Sequence, residues 1–159
     1  AVAKHWGAKK IIAVGGTKIH LDLAKKVGAD VLVDRHKGNV IEQIKEATAG
    51  EGVDVVLEQV GGNILMKSIK CLKRNGRIVI IGATTGNNVE LDIRYIYRNN
   101  LALFGSSGIT QKEIRKVFEL VKKGKLKPII DKIFPLKDAA LAHKYMEERK
   151  NFGKIILKP

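Results

Sequence analysis

The feature that most constrains this chain is a phrase repeated along its length: a helix end carrying basic residues, a glycine, then a short apolar run rich in β-branched residues. Lys4 and Gly7 precede Ile11 to Val14, and Lys25, Lys26 and Gly28 precede Val31 to Val33. Gly52 leads into Val53 to Leu57, and Lys73, Arg74 and Gly76 lead into Ile78 to Ile81; Gly124 and Gly153 repeat the phrase near the end. A glycine just past a helix takes up the left-handed conformation that residues with a Cβ resist, and cations there complement the helix dipole. The runs that follow are nearly continuous rather than alternating, which suits strands buried on both faces. Strands alternating with helices imply a parallel sheet with right-handed crossovers, hence an α/β doubly wound fold. Strands are expected over 10–15, 31–34, 53–59, 77–82, 100–105, 128–134 and 154–158.

The helices between them are legible too. Segment 39–48 carries Val40, Ile41, Ile44 and Ala47 on one face, and segment 63–74 carries Ile64, Leu65, Ser68, Ile69 and Leu72. Thr110 and Glu113 have the spacing of a capping box, followed by Ile114, Val117, Phe118 and Val121 at helical intervals. No proline-rich or low-complexity linker interrupts the 159 residues, so 1–159 reads as a single domain. It is an incomplete one. A doubly wound sheet opens on a strand, whereas Ala1 to Gly7 reads as the last turns of a helix.

Composition excludes several classes. No apolar run approaches the ~20 residues of a membrane helix. The lone cysteine, Cys71, rules out an internal disulfide framework and fits a reducing, cytoplasmic setting; its place on the apolar side of helix 63–74 marks it as packing. Thirty basic against 16 acidic residues give a net charge of +14. The lysines are spread through every helix without interleaved aromatic residues, so a nucleic-acid interface is not expected. Trp6, Tyr95 and Tyr97 are expected to anchor packing or a contact between subunits.

Five segments, in this order, resemble the cofactor domain of the medium-chain dehydrogenases and reductases, the group of zinc alcohol dehydrogenases, quinone oxidoreductases and enoyl reductases. They are Leu23 to Asp30, Gly52 to Gly62, Gly76 to Gly82, Gly124 to Ile130 and Gly153 to Pro159. The resemblance implies a Rossmann-type fold in which the first strand and its glycine-rich phosphate loop lie upstream of Ala1 and are absent here. It also implies a separate N-terminal catalytic domain outside this chain, holding the substrate, the proton donor and any zinc. Zinc needs three or four ligands, and Cys71, His5, His20, His36 and His143 are scattered over different segments, so no metal site and no catalytic residue is expected within 1–159. Glu58 departs from the family, where a shorter aspartate is more usual, and is read as a satisfied strand-end carboxylate.

The candidate cofactor residues lie at strand ends, because ligands of open parallel sheets bind beyond the carboxyl ends of the strands. In such folds an acidic residue closing the second strand accepts the adenosine ribose hydroxyls. Gly15 stands there instead, followed by Gly16, Thr17 and Lys18. With no carboxylate, a hydroxyl and a cation, the tip suits a 2′-phosphate, so NADPH is expected over NADH. Thr17 is equally suited to cap the following helix. Arg35, ending the third strand, can stack on adenine or pair with phosphate. By resemblance, Val60, Gly61, Gly82, Ala83, Thr84, Gly105, Ser106 and Ser107 line the nicotinamide side of the same crevice, and Lys154 supplies a further basic contact.

The resulting expectation is the NADP(H)-binding part of an oxidoreductase that moves a hydride between nicotinamide and an alcohol, a carbonyl or an activated alkene. The fragment alone is expected to be inactive. The alternatives are a non-catalytic nucleotide-binding or regulatory module, or a basic nucleic-acid-binding protein. A homo-oligomer is expected, because loss of the central strand exposes two sheet edges. Direct closure of strand 10–15 on strand 53–59 is the other way to satisfy them.

Overall fold

The computed structural model describes residues 1–148 and 151–159. Its elements alternate as the glycine punctuation requires, except that Gly76 lies inside a strand and neither it nor Gly153 takes the left-handed conformation. A short helix α1 (Val2–His5) leads into β1 (Ile12–Gly15), α2 (Lys18–Lys26) and β2 (Val31–Asp34). Next come α3 (Val40–Ala47), β3 (Val53–Glu58), α4 (Gly62–Lys70), β4 (Leu72–Ile80), α5 (Ile93–Arg98) and β5 (Ala102–Gly105). The chain ends with α6 (Gln111–Lys122), β6 (Ile130–Pro135), a single 3-10 turn, α7 (Ala139–Glu147) and β7 (Lys154–Lys158). Thr17, Asn39, Asp92 and Thr110 cap α2, α3, α5 and α6 with their side chains, and the capping box between Thr110 and Glu113 forms as its spacing predicts. Each such cap satisfies an otherwise orphaned N–H at a helix start and is worth about 1 kcal/mol.

Every strand pairing is parallel. The strands form three groups: β1 with β2, β3–β4–β5 in that order, and β6 with β7. Among the described residues β1 and β3 each have a single strand partner, so direct closure of one on the other does not occur. Their starts nevertheless rest on one core. Val33, Ile44 and Cys71 form a buried cluster against which both Ile12 of β1 and Val53 of β3 pack. Val53 also touches a second cluster of Leu65, Ile69, Leu72 and Ile78, in which Ile69 and Ile78 are fully buried. Burying one such side chain contributes roughly 1.5–3 kcal/mol. Farther along, Val14 of β1 and Val55 and Leu57 of β3 are 50%, 44% and 69% exposed, uncovered apolar surface on two strands with one partner each.

Two boundaries differ from expectation by more than two residues. Helix α4 ends at Lys70 rather than Arg74, and β4 begins at Leu72 rather than residue 77. Leu72 is buried and pairs with Val53, so tertiary burial overrides the helical spacing of Ile69 and Leu72. The extra residues before Arg77 are absorbed as a bulge, with Asn75 at φ 62°. Cys71 is buried at the end of α4, its thiol donating to the Lys67 carbonyl at 3.3 Å. Burial pushes that thiol up to about 11, which leaves it protonated and inert near neutrality. Trp6 and Tyr97 are 74% and 62% exposed, Trp6 meeting the His5 ring edge-on, whereas Tyr95 packs on the second cluster. Among the described residues no helix is long and apolar enough to cross a membrane.

Candidate functional site

The sequence-predicted residues fall into two groups at strand ends. The first is the tip of β1 with the start of α2 and the end of β2. Gly15 sits opposite Asp34 in the β1–β2 register, and the Arg35 N–H donates to the Gly15 carbonyl at 2.9 Å. That bond continues the parallel ladder and sets the Arg35 main chain beside the tip. A Cβ on Gly16 would lie 2.5 Å from Arg35 Nε and 2.8 Å from its Cζ, so glycine at 16 is what lets the guanidinium lie there. Asp34 points elsewhere, its Oδ1 accepting the His36 N–H at 3.0 Å. Thr17 caps α2, and its hydroxyl also meets His20 Nδ1 at 2.7 Å. Lys18 is 90% exposed and paired with Asp22 at 2.9 Å, one helical turn on. Of the three cations read from sequence, Arg35 lies across the β1 tip, while Lys18 is turned along its own helix.

His20 carries this group further than sequence reasoning reached. Its Nε2 lies 3.3 Å from the Asn151 carbonyl, joining the start of α2 to the turn before β7. An open groove of about 550 Å³ runs there, lined among others by His20, Lys127, Asn151, Gly153 and Lys154. Lys154 therefore belongs with the β1 side of the molecule. A second groove of about 540 Å³, lined by Lys4, His5, Lys26, Lys125 and Lys127, holds none of the predicted residues.

The second group is the rim beyond β3, β4 and β5. Val60 and Gly61 form the β3–α4 turn, Gly82, Ala83 and Thr84 follow β4, and Gly105 ends β5 with Ser106 and Ser107 after it. Main-chain bonds stitch these ends together: Ile81 N–H donates to Glu58 O at 2.8 Å, Thr85 N–H to Val60 O at 2.9 Å, Gly62 N–H to Gly86 O at 3.0 Å and Ser106 N–H to Ile80 O at 2.9 Å. Gly61 has φ 72° and ψ −153°, a region essentially restricted to glycine, and a Cβ there would lie 2.7 Å from Gly86 O. Gly105, by contrast, opens onto free space.

Under this rim lies Glu58, the one buried charged residue among those described, at 3% exposure. Its Oε1 accepts the Val60 N–H at 2.5 Å and the Gly61 N–H at 3.2 Å, and its Oε2 accepts the Ser68 hydroxyl of α4. The expected satisfied carboxylate is thus seen, with a consequence that the sequence hides. The N–H groups of residues 60, 61 and 62 are all engaged within the protein, so this turn meets a ligand with its surface and carbonyls rather than as a set of free donors. Among the described residues no three His, Cys, Asp or Glu side chains converge as a metal site.

Comparison with known proteins places this geometry. The sequence profile of the zinc-binding dehydrogenases matches residues 1–123. An NADP-dependent isopropanol dehydrogenase of Entamoeba histolytica is 43% identical over 53 residues, 33% of this chain and 14% of that protein. A solved NAD-dependent alcohol dehydrogenase superposes with a TM-score of 0.91 at 32% identity, covering 99% of this chain and 46% of its own. An alcohol dehydrogenase of the hyperthermophilic archaeon Aeropyrum pernix gives 0.89 at 25% identity, covering 99% and 45%. The chain spans less than half the length of these solved neighbours. It belongs to the zinc-binding dehydrogenase family, within the medium-chain dehydrogenases and reductases.

Proposed function

We propose that residues 1–159 form the cofactor-holding part of an NADP-dependent oxidoreductase acting on an alcohol and its carbonyl, or on an activated alkene. The observation that carries the NADP preference is the β1 tip: no carboxylate at Gly15, and the Arg35 guanidinium laid across Gly16. A guanidinium meets phosphate oxygens with paired, charge-assisted hydrogen bonds. An acid at that position would repel them. Thr17 and Lys18 flank the same tip, and Lys154 and His20 line the groove beside it. The stitched rim of 60–61, 82–84 and 105–107 forms the wall on the nicotinamide side. Bound there, the nicotinamide ring supplies the hydride chemistry; this chain's residues supply position and charge.

The reading also assigns the substrate, the proton donor and any zinc to a part of the protein outside residues 1–159, together with a parallel strand between β1 and β3. Its support is that these strands have one partner each, expose Val14, Val55 and Leu57, and share a core at their starts. The same exposed edges favour self-association of any preparation in which that strand is missing.

The test is calorimetric. The complete gene product should bind 2′,5′-ADP at least about tenfold more tightly than 5′-ADP, the worth of one charge-assisted contact. Equal affinities, or a preference for 5′-ADP, would reject the NADP assignment. Purified residues 1–159 should show no NADPH-dependent reduction of a quinone or an aldehyde, and turnover by them would reject the division of labour.

A further inference from the structure

Glu58 presents a physical puzzle. It is 3% exposed, and no cation pairs with it among the described residues. Removing a carboxylate from water costs several kcal/mol unless hydrogen bonds replace its hydration. Here they do so in an asymmetric way. One oxygen takes both N–H groups of the Val60–Gly61 turn, and the other takes Ser68, ten residues along on α4. The carboxylate thereby ties the end of β3, the turn and the body of α4 into one unit.

That unit sets where the turn lies. The Val60 peptide is held from both sides, its N–H by Glu58 and its carbonyl by the Thr85 N–H at 2.9 Å and the Thr85 hydroxyl at 3.0 Å. Gly61 has no slack, since Gly86 O and Ala83 stand 2.7–2.9 Å from where a Cβ would be. The rim of 59–62 and 82–86 is therefore a rigid wall whose height is fixed from beneath by a single side chain. An aspartate in its place would fall about 1.5 Å short, one carbon–carbon bond, and could not reach Ser68 while holding the turn.

We propose that Glu58 is a positioning residue for the nicotinamide half of the cofactor, with Ser68 as its anchor on α4. This rests on the cofactor reading above. Glu58 touches no ligand. It holds the Val60–Gly61 wall at the height on which the nicotinamide riboside rests, while the adenosine half depends on the separate tip of β1.

The experiment uses the complete gene product and two probes, NADPH and 2′,5′-ADP, the second of which lacks the nicotinamide half. Glu58→Gln keeps the volume but turns one acceptor into a donor, and Ser68→Ala removes the anchor without touching the turn. Both variants should bind NADPH about tenfold more weakly, the loss of one hydrogen bond to a charged group, with 2′,5′-ADP affinity unchanged. Glu58→Asp should behave likewise. Equal loss for both probes would show a merely structural role, and wild-type affinity for both would show no role; either outcome overturns the proposal. A wild-type protein that binds neither probe sinks the cofactor reading itself, and this proposal with it. Should Glu58→Gln fail to fold, Ser68→Ala decides the matter alone, since it leaves the carboxylate and its bonds to the turn in place.

Discussion

The two rims of this chain are built on opposite principles. At the β1 tip the candidate groups are side chains on the surface: Arg35 and Lys18 are exposed, and the ion pair of Lys18 with Asp22 is an ordinary helical pair. At the β3–β5 rim the candidate surface is main chain, pinned by interstrand bonds and a buried carboxylate. Exposed charges are screened and cheap to exchange. A buried network is all-or-none, because removing one partner leaves another unsatisfied. Under the proposed cofactor role, substitution at the first rim changes the choice of phosphate without touching the fold, whereas the second rim resists change.

This contrast can be broken from the rigid side first. Ile69 is fully buried in the cluster by which α4 packs on β3 and β4, and Ile69→Ala should lower unfolding stability by roughly 2–5 kcal/mol, read from urea denaturation. A loss below 1 kcal/mol would mean that α4 is not the foundation described. Gly61→Ala comes next. Its backbone conformation alone costs roughly 1–3 kcal/mol for a residue with a Cβ, and Gly86 O stands 2.7 Å from the added atom. Thermal unfolding should shift downward by several degrees, and NADPH binding should weaken beyond what the shift explains. An unperturbed variant would show that the rim yields.

At the soft rim, Gly15→Asp restores the carboxylate that the tip lacks. The new Cβ would meet Leu21 Cδ2 at 2.8 Å, the far end of a flexible side chain, so the fold should give at small cost. Affinity for 2′,5′-ADP should drop about tenfold or more while that for 5′-ADP holds or rises, a reversal of preference without loss of stability. Parallel losses for both nucleotides would mean that the tip does not select at the 2′ position.

Much of this was legible in the sequence because its causes are local. Glycine past a helix end at 7, 28 and 124, the apolar runs and the Thr110–Glu113 spacing each act within a few residues and recur in the structure, whereas Gly76 falls inside β4 and Gly153 keeps an ordinary φ. The resemblance of five ordered segments pointed to the family that the profile over 1–123 confirms. What escaped depends on pairing at a distance. The placement of Arg35 over Gly16 follows from the β1–β2 register, which no window of sequence contains. Ser68 reaches Glu58 only because α4 folds back over β3. His20 meets Asn151 across 131 positions. The early start of β4 was hidden for the same reason, since Leu72 fits the helical spacing of Ile69 until Val53 claims it.

The smallest expected effect is the sharpest test of the soft rim, because the sequence put Lys18 at the 2′-phosphate, whereas the structure lays Arg35 across the tip. The ammonium of Lys18 is spent on Asp22 at 2.9 Å and is 90% exposed, so it exerts little net field at the tip. An exposed pair of this kind contributes about 0.3–0.5 kcal/mol to stability. Lys18→Ala should accordingly leave stability within that margin and weaken 2′,5′-ADP binding by no more than about threefold, an effect that fades with added salt. Asp22→Asn should act in the opposite direction, since it frees the ammonium to reach the phosphate. If Lys18→Ala costs as much affinity as Arg35→Ala, both cations grip the phosphate together, and the tip is then a built clamp like the opposite rim. If Asp22→Asn tightens binding while Lys18→Ala scarcely weakens it, the division between a fixed wall and an adjustable tip holds at the level of a single ion pair.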